Sequence, residues 1–374
     1  MRKNFCFIVG TRPEIIKLGP VYNYFKKRKK YNVTSYFTNQ HVEIGEDVIK
    51  YFKFDIKSKK KQKTNLDLNS KMSSYADNLN IYLKTNKING IFVLGDTLTA
   101  MIAAITAFNL KIKIFYVESG LRTYDFLEPW PEEGYRKIIS SIADLHFCPT
   151  KQNKKNLILE KIDSKNICIS GNPAIDAMQN EINKYDDSYE KKLKNIISKK
   201  GFTLKKRKIV LVTIHRRENF GIRFENICKT IKLLAKLYVE IDFVVTVHPN
   251  PYVKKTLNKF LHKIDNIYLI KALFYPEFIF LLKKSSLVMS DSGGIQEELP
   301  SLKKYLILLR EKTERNETVK LGYSFICGSS KKKILKNFKN LINKKDQNYR
   351  FKANPFGNGN SAEMIFNFIK KKSH

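Results

Sequence analysis

Twelve short apolar runs, separated by segments long enough to form helices, constrain the fold of this chain more than any other feature. The runs are rich in Val, Ile, Phe and Tyr, and most are continuous rather than alternating, as in "NFCFIVG", "GIFVLGD" and "KIVLVTIH". Continuous apolar runs are typical of strands that are buried on both faces of a parallel sheet. Their alternation with segments such as "TLTAMIAAITAFNL" predicts an α/β fold with doubly wound sheets.

The twelve runs form two sets of six, separated by a polar, lysine-rich gap. The gap spans residues 173–208 and contains "NEINKYDDSYEKKLKNIISKKG". A chain of 374 residues is also longer than one compact core usually organises. We therefore predict two Rossmann-like domains with separate cores, residues 1–172 and residues 173–358.

The chain is strongly basic, with a formal net charge of +35 at pH 7. Nucleic-acid-binding proteins often carry such an excess. Here, however, the lysines are spread over the whole chain, and no RNP, KH or helix-turn-helix signature is present. We expect no nucleic-acid partner, and we expect the charge to draw anionic substrates towards a cleft.

The cysteines and the apolar runs of the sequence bear on the cellular compartment of the protein. The five cysteines are scattered singly, and no CxxC pair is present, which argues against a disulfide framework or a zinc ribbon. The start "MRKNFCFIVGTRPE" has only a short apolar run before charge resumes, so we expect no signal peptide there, and the longest apolar runs, such as "EFIFLL", are too short to span a bilayer. We expect a cytoplasmic protein without membrane insertion.

Polar or glycine-containing motifs follow several of the predicted strands: "GTRPE", "NQH", "GDT", "ESGLR", "HRRE", "HPNP", "DSGG" and "REKTER". In an open parallel sheet, ligands bind at the carboxyl ends of the strands. Two such domains facing each other would gather all of these motifs around one cleft. Their collective placement predicts an enzyme active site.

The motif "GTRPEIIK" follows the first strand and opens a helix. Gly10 permits a tight turn, the next amide groups are predicted to point towards an anion, and Arg12 can form paired bonds with a phosphate. The alternative is an ordinary turn with Arg12 on the surface. In "LGDTLTA", Asp96 is either a site residue or the N-cap of the next helix, and the sequence leaves this open.

The stretch "ESGLRTYDFLEPWPEEGYRK" concentrates carboxylates in a basic chain. Glu118 ends a strand, and the prolines on either side of Trp130 should hold Glu132 on a stiff loop. We expect at least one acid–base carboxylate here, with Arg122 and Arg136 as ionic partners. The alternative is a solvated acidic loop before a helix. The remaining acids are predicted to be solvated or to lie at the helix start: Asp125, Glu128 and Glu133.

Two motifs of the second half indicate anion binding. "TIHRREN" places His215 at a strand end beside Arg216. In "SDSGGIQEE", Ser292 is predicted to cap a helix, while two glycines let the backbone approach a phosphate. His41 and His248 also follow strands, and the sequence leaves open whether they bind substrate. HExxH, EF-hand, GxSxG and GxGxxG motifs are absent, so metal, serine-hydrolase and dinucleotide sites are not predicted.

Together and in this order, "GTRPE", "QH", "GDT", "ESGLRT", "PWPEE", "HRRE", "DSGGIQEE" and "TER" resemble the motifs of the non-hydrolysing UDP-N-acetylglucosamine 2-epimerases. The resemblance extends from Gly10 to the helix after "NPFGNGNSAE". It implies the glycosyltransferase-B fold, in which two Rossmann-like domains face each other across a cleft and a C-terminal helix, here residues 359–374, completes the first domain. It also implies a homodimer that needs no cofactor.

The resemblance further implies a reaction. These enzymes interconvert UDP-N-acetylglucosamine and UDP-N-acetylmannosamine by eliminating UDP to give a 2-acetamidoglucal and then adding it back, for surface polysaccharide synthesis. By motif position, the acid–base carboxylates are Asp96, Glu118 and Glu132, and His215 resembles the histidine that assists the leaving group. The residues predicted to bind UDP or the sugar are Arg12, Lys17, His41, Arg122, Arg136, Arg216, His248, Phe278, Ser292, Gly293, Gly294, Glu298 and Arg315.

Three other reactions fit the same motifs. A hydrolysing epimerase would release free N-acetylmannosamine, a related enzyme would epimerise a modified UDP-amino sugar, and a glycosyltransferase of the same fold would transfer the sugar. The acidic "PWPEE" loop favours proton chemistry at C2 over transfer.

Overall fold

The computed structural model describes residues 2–38, 40, 42–56, 67–343 and 353–372. It divides into a first unit, Met1–Ala177 with Pro355–His374, and a second unit, Met178–Asn354. Within the described residues, each unit contains one six-stranded sheet with helices packed on it. The predicted α/β class with doubly wound sheets is confirmed. The domain boundaries after residues 172 and 358 stay a prediction.

The elements alternate along the chain as the apolar runs predict. The strands are β1 (Asn4–Val9), β2 (Asn32–Phe37), β3 (Gly90–Leu94), β4 (Lys113–Val117), β5 (Leu145–Cys148), β6 (Ile167–Ile169), β7 (Lys208–Thr213), β8 (Ile241–Val247), β9 (Ile267–Lys271), β10 (Leu287–Ser290), β11 (Leu306–Leu308) and β12 (Ser324–Ile326). The helices are α1 (Arg12–Arg28), α2 (Val42–Tyr51), α3 (Leu68–Thr85), α4 (Leu98–Asn109), α5 (Glu132–Ile142), α6 (Lys151–Leu159), α7 (Pro173–Ile182), α8 (Asp187–Lys199), α9 (Ile222–Leu237), α10 (Pro251–Leu261), α11 (Tyr275–Lys284), α12 (Gly293–Glu298), α13 (Asn316–Lys320), α14 (Lys331–Ile342) and α15 (Ser361–Lys372).

Both sheets are parallel throughout their described strands. The first has the order β2-β1-β3-β4-β5-β6, and the second has the order β12-β11-β10-β7-β8-β9. The direction of winding reverses between β1 and β3 in the first sheet and between β7 and β10 in the second. At such switch points the loops diverge to opposite faces of the sheet and leave a crevice at the carboxyl ends of the strands.

The strands are apolar on both faces because helices cover both faces. In β3, all five residues are buried. Ile91 and Val93 lie in a cluster with residues of α3 and α4. Phe92, which alternates with them, stacks on Phe7 at 4.1 Å and meets the ring of Phe25 from α1 at 5.1 Å. A continuous apolar run is therefore what two covered faces require.

Helix α15 returns to the first unit after the chain has formed the second. The carboxylate of Asp176 accepts hydrogen bonds from the backbone amides of Ser361 (3.2 Å) and Ala362 (2.9 Å), so it caps α15 from α7. One turn further on, the ring of Phe366 packs edge-on against Phe25 of α1 at 4.9 Å. The last described helix thus contributes to the core of the first unit.

The sequence led us to expect no membrane-spanning segment and no disulfide framework. Of the described helices, none combines the length and the apolar character that a bilayer span requires.

The five cysteines are free thiols. Cys6 lies deep in the first unit, and burial raises its pKa to about 12. Such a thiol packs as a small apolar side chain.

Replacing Asp176 by alanine is expected to loosen α15, because the amides of Ser361 and Ala362 lose their acceptor. The loss of a capping acceptor costs about 0.5–2 kcal/mol. Amide hydrogen exchange, followed by mass spectrometry on peptides covering residues 361–372, should become faster. The matched control is Asp186→Ala, which removes an exposed cap from α8 and should leave exchange in α15 unchanged. Unchanged protection in Asp176→Ala would contradict the capping role.

Candidate active site

The predicted motifs follow the strands that flank the two switch points. In the first unit, "GTRPE" follows β1 and "GDT" follows β3. In the second unit, "IHRRE" follows β7 and "DSGG" follows β10. Each unit therefore carries its charged residues at the sheet edge where α/β folds bind ligands.

A buried carboxylate, Glu14, ties together the turns after β1 and β3. Its Oε2 accepts hydrogen bonds from the amides of Gly10 (2.9 Å) and Thr11 (2.7 Å), and its Oε1 accepts one from the Thr97 hydroxyl (2.5 Å). Burial raises the pKa of Glu14, and the donated hydrogen bonds oppose that shift. Since Thr97 directly follows Asp96, Glu14 positions the loop that carries Asp96.

The turn after β1 differs from the prediction that its amides point towards a bound anion. The acceptor for the amides of Gly10 and Thr11 is Glu14 of the same helix start. Gly10 is needed here for close approach, because a Cβ atom would lie 2.1 Å from the hydroxyl oxygen of Thr99 and 2.2 Å from that of Thr38. The carboxylate of Glu14 thus accepts a hydrogen bond, from the Thr11 amide, that the sequence analysis assigned to a bound anion.

Glu118 is held at the end of β4 in an unusual backbone conformation. Its φ of 63° lies in the left-handed region, which costs a residue with a side chain about 1–3 kcal/mol. The buried carboxylate forms an ion pair with Lys17 and accepts a hydrogen bond from Asn172 Nδ2 at 3.0 Å. A Cβ atom on Gly95 would lie 3.4 Å from Glu118 Oε2, so the carboxylate lies against the turn that precedes Asp96.

Asp96 is half-buried and pairs with Arg136 of α5. Its Oδ2 accepts a hydrogen bond from Arg136 Nε at 2.8 Å, and the cap of α4 is Thr97 rather than Asp96. Arg136 also donates to Glu133, whose carboxylate accepts hydrogen bonds from the backbone amides of Thr123 and Tyr124. Glu133 lies in the first turn of α5, one of the two places expected for it, but it is fully buried rather than solvated. It anchors the loop of residues 119–131, called the acidic loop below.

Glu132 is the first residue of α5 and is half-buried. Residues four apart lie on the same side of a helix. Glu132 therefore shares a side of α5 with Arg136, which binds Asp96. The loop before it contains the cis peptide bonds Glu128–Pro129 and Trp130–Pro131.

Three predicted substrate contacts of the first unit differ in their surroundings. Arg12 is half-buried and begins α1. His41 lies outside the described residues. Arg122 is buried and forms a two-bond ion pair with Glu160, at 2.8 and 2.7 Å, and it donates to Ser140 Oγ at 2.8 Å. We therefore interpret Arg122 as a residue that fixes the start of the acidic loop to α5 and α6.

His215 and Arg216 follow β7 in the second unit. The His215 side chain is 38% exposed, and its Nδ1 lies 3.3 Å from Oδ1 of the buried Asp291. Its ring is nearly parallel to that of His248, with 5.6 Å between the ring centroids. Burial lowers the pKa of His215, and the charge of Asp291 opposes this. A half-exposed imidazole with a carboxylate partner can transfer a proton near neutral pH.

Ser292 occupies the N-cap position of α12, as predicted, but its side chain makes no capping hydrogen bond. The amides of a first helical turn have no acceptor within the helix. A Cβ atom on Gly293 would lie 2.6 Å from Arg315 Nη1, so this glycine leaves room for the guanidinium at the start of α12, and Gly294 follows it in the same turn. Arg315 also donates to Glu297 Oε1 at 2.6 Å.

The remaining predicted contacts of the second unit lie on two helices. Glu298 is buried at the end of α12, and Phe278 is half-buried in α11. Arg310 donates to Glu218 at 2.7 Å and to Glu314 at 3.0 Å, and this network holds the loop after β11. Their contacts with UDP stay predictions.

Two buried carboxylates of this site, Glu14 and Asp291, were not singled out from the sequence. Glu14 has a signal that could have identified it, because Thr11 and Glu14 have the spacing of a capping box, and the Glu14 carboxylate accepts from the Thr11 amide. Asp291 has no such signal, since its main partner, His215, lies 76 residues earlier in the chain. Only the pairing of β7 with β10 brings the two together.

The arrangement supports two kinds of chemistry. The first unit presents Asp96 and Glu118 with cationic partners, and Glu132 at the start of α5, a set suited to proton transfer. The second unit presents a histidine, arginines and a glycine-rich helix start, a set suited to holding a phosphorylated group.

A family model described as UDP-N-acetylglucosamine 2-epimerase matches residues 23–370. A UDP-N-acetylglucosamine 2-epimerase from Campylobacter jejuni is 38% identical over 379 residues, which cover 99% of this chain and 98% of that protein. The UDP-GlcNAc 2-epimerase from Neisseria meningitidis, solved bound to UDP-GlcNAc, has a TM-score of 0.92 at 34% identity, covering 98% of this chain and 100% of that one. That of Methanocaldococcus jannaschii, solved with UDP-GlcNAc and UDP, has a TM-score of 0.83 at 30% identity, covering 98% and 99%.

Replacing Glu14 by alanine is expected to destabilise the first unit. The buried amides of Gly10 and Thr11 would lose their acceptor, and a buried group left unsatisfied costs about 1–3 kcal/mol. The melting temperature should fall measurably. The control is Asp77→Ala, an exposed position on α3, which should melt as the wild type does. Equal melting temperatures for Glu14→Ala and the wild type would show that Glu14 does not tie the turns together.

Proposed function

Because the chain belongs to the UDP-N-acetylglucosamine 2-epimerase family, we propose that it interconverts UDP-N-acetylglucosamine and UDP-N-acetylmannosamine by elimination and re-addition of UDP. The observation that carries this proposal is the set of carboxylates at the ends of β3 and β4. Glu118 is held in a costly backbone conformation beside Lys17, and Asp96 is held by Arg136. Strained and paired carboxylates at strand ends beside a switch point are typical of catalytic sites.

Elimination avoids the difficulty of removing a weakly acidic proton without assistance. A base takes the proton from sugar C2, the C2–H electron pair forms the C1=C2 double bond, and the C1–O electron pair leaves with UDP. The products are 2-acetamidoglucal, UDP and a protonated base. Delivery of a proton to the other face of C2 and re-addition of UDP at C1 then give the epimer.

In this proposal, the first unit handles the protons. The reaction needs one group for each face of C2, because the proton leaves from one face and returns to the other. Asp96, Glu118 and Glu132 supply three candidates. Glu118 has an ionic partner that can itself lose a proton, Lys17, whereas Arg136 beside Asp96 keeps a permanent charge. Asp96 and Glu118 therefore have different cationic partners, as expected if the two carboxylates serve different faces of C2.

The second unit, in the same proposal, holds and releases UDP. The start of α12 with Ser292, Gly293 and Arg315 offers amides and a guanidinium to the diphosphate. His215 assists the departure of the phosphate oxygen from C1. Residues that bind UDP in this way would lower the barrier by stabilising the charge that develops on the leaving group. The further residues proposed to contact UDP or the sugar are Arg12, Lys17, Arg136, Arg216, His248, Gly294, Phe278 and Glu298.

We extend the proposal to the product and the setting. The sugar stays linked to UDP, so the enzyme is a non-hydrolysing isomerase that supplies an activated amino sugar for surface polysaccharide synthesis. It acts in the cytoplasm as a homodimer. The free thiols are consistent with a reducing compartment.

Incubation with UDP-N-acetylglucosamine in deuterated water tests the reaction directly. Proton removal at C2 and delivery from solvent predict deuterium at C2 in both UDP-linked sugars, together with a UDP-linked manno product, followed by NMR. Free N-acetylmannosamine as the product would indicate hydrolysis instead. Absence of C2 exchange and of any new sugar would rule out epimerisation of this substrate.

The variants Asp96→Asn and Glu118→Gln should each lower kcat by about 10²–10⁴-fold, because each removes a proton-transfer group while keeping its size. The matched control is Asp125→Asn in the acidic loop. The Asp125 carboxylate accepts a hydrogen bond from the amide of Leu127, which an asparagine oxygen can also accept, so this variant should turn over as the wild type does. Wild-type turnover in both Asp96→Asn and Glu118→Gln would refute their role.

The same variants can assign the two faces. Each is given UDP-N-acetylglucosamine and UDP-N-acetylmannosamine separately in deuterated water. A variant that lacks the group for one face should still exchange the C2 proton of the substrate that uses the other face. Loss of exchange from both substrates would assign the residue to a step common to both.

A further inference from the structure

Asp291 is a fully buried carboxylate that bridges the switch point of the second unit. It follows β10, and β10 pairs in parallel with β7, so that Ser290 lies opposite Thr213. The residues directly after these two positions are therefore neighbours. This places Asp291 beneath the loop that carries His215.

The carboxylate of Asp291 organises that loop through its backbone. It accepts hydrogen bonds from the amide of His215, at 3.2 Å to Oδ1 and 3.1 Å to Oδ2, and from the amide of Arg216, at 2.9 Å to Oδ2. It also accepts one from Asn219 Nδ2 at 3.0 Å, and the same Nδ2 donates to the backbone oxygen of Leu309 at 3.0 Å. The loop is thus fixed at three points around one carboxylate.

The same carboxylate faces the imidazole ring. Asp291 Oδ1 lies 3.3 Å from His215 Nδ1. A carboxylate acceptor at Nδ1 favours the tautomer that carries its proton there, and Nε2 is then the nitrogen that exchanges a proton with another molecule. The neighbouring His248 has the opposite arrangement, because its Nδ1 accepts a hydrogen bond from the amide of Asn250 at 3.1 Å.

We propose that Asp291 is the positioning residue for His215: it sets the loop, fixes the Nδ1–H tautomer and keeps the ring able to carry a positive charge. This inference rests on the proposed function, in which His215 assists the leaving group. In the elimination step, the imidazolium gives its Nε2 proton to the phosphate oxygen as the C1–O electron pair leaves with UDP. The ring becomes neutral and keeps its Nδ1 proton towards Asp291. Re-addition of UDP returns the proton to Nε2.

The surroundings of His215 explain why such a partner is needed. Burial of the ring lowers its pKa, and the charge of Arg216 lowers it further. Asp291 and Glu218 act in the opposite sense. The parallel ring of His248, when charged, would add a second repulsive cation. Of these groups, Asp291 is the one in direct contact with Nδ1, so it has the largest effect in favour of the charged form.

The variant Asp291→Asn tests this role. Its amide nitrogen would face Nδ1 as a donor, so the ring is expected to carry its neutral proton on Nε2 and to lose affinity for a second proton. We expect kcat for epimerisation to fall by at least about 100-fold with little change in KM. At high pH, kcat falls because the His215 imidazolium, which is the acid, loses its proton. In Asp291→Asn this fall should occur at a pH at least about 1 unit lower.

The matched control is Asp242→Asn. Asp242 is another fully buried aspartate of the second unit, paired with Arg207 at 3.1 Å, but it lies near the start of β8, away from the strand ends that carry the site. It should reproduce any general loss of stability and leave the pH profile unchanged. Equal pH profiles for Asp291→Asn and the wild type would overturn the proposal.

A second measurement depends neither on activity nor on the Asp291→Asn variant. The chain has six histidines, so ¹⁵N-histidine labelling gives a spectrum in which His215 can be assigned by its loss in His215→Gln. We expect its neutral form in the wild type to carry the proton on Nδ1. A neutral ring protonated on Nε2 would also overturn the proposal. A wild-type enzyme without epimerase activity would refute the proposed function instead, and the NMR result would still stand by itself.

Discussion

One buried carboxylate in each unit holds the strand-end turns on which the candidate site is built. In the first unit, Glu14 accepts from the turns after β1 and β3, and in the second, Asp291 accepts from the loop after β7 while it follows β10. Both span the switch point of their sheet. Loops that diverge there have few backbone partners of their own, so an internal acceptor is what keeps them in one conformation.

The acidic loop of this basic protein has an internal explanation as well. Its carboxylates do not repel one another in solvent, because several are engaged by cations. Glu118 pairs with Lys17, Asp96 and Glu133 share Arg136, and the loop start is held by Arg122 through Glu160. Arginine suits the shared position because its fork can serve two acceptors at once. The net charge of the chain is therefore a poor guide to this site, where carboxylates are paired with cations.

The fold could be predicted from the sequence because each strand and helix is indicated by the hydrophobic pattern of neighbouring residues. Each of the twelve runs forms a strand, and most of them are continuously apolar because helices cover both faces of the sheets. The ionic partnerships were harder to predict. Arg122 was predicted both as an ionic partner of the loop carboxylates and as a substrate contact, yet its guanidinium binds Glu160, which lies 38 residues later at the C-cap of α6. Charge patterns alone do not distinguish a ligand from an internal partner.

What the sequence by itself determined is the architecture and the identity of the groups at the strand ends, because hydrophobic periodicity and motif order are properties of neighbouring residues. What only the tertiary structure decided is which charged group meets which. The amide of Thr11 was expected to face a ligand and instead binds Glu14, whose other oxygen accepts from Thr97, and Asp291 meets His215 through a strand pairing. The contacts of Glu14 with Thr97 and of Asp291 with His215 join residues far apart in the chain, so they form only once each sheet has formed.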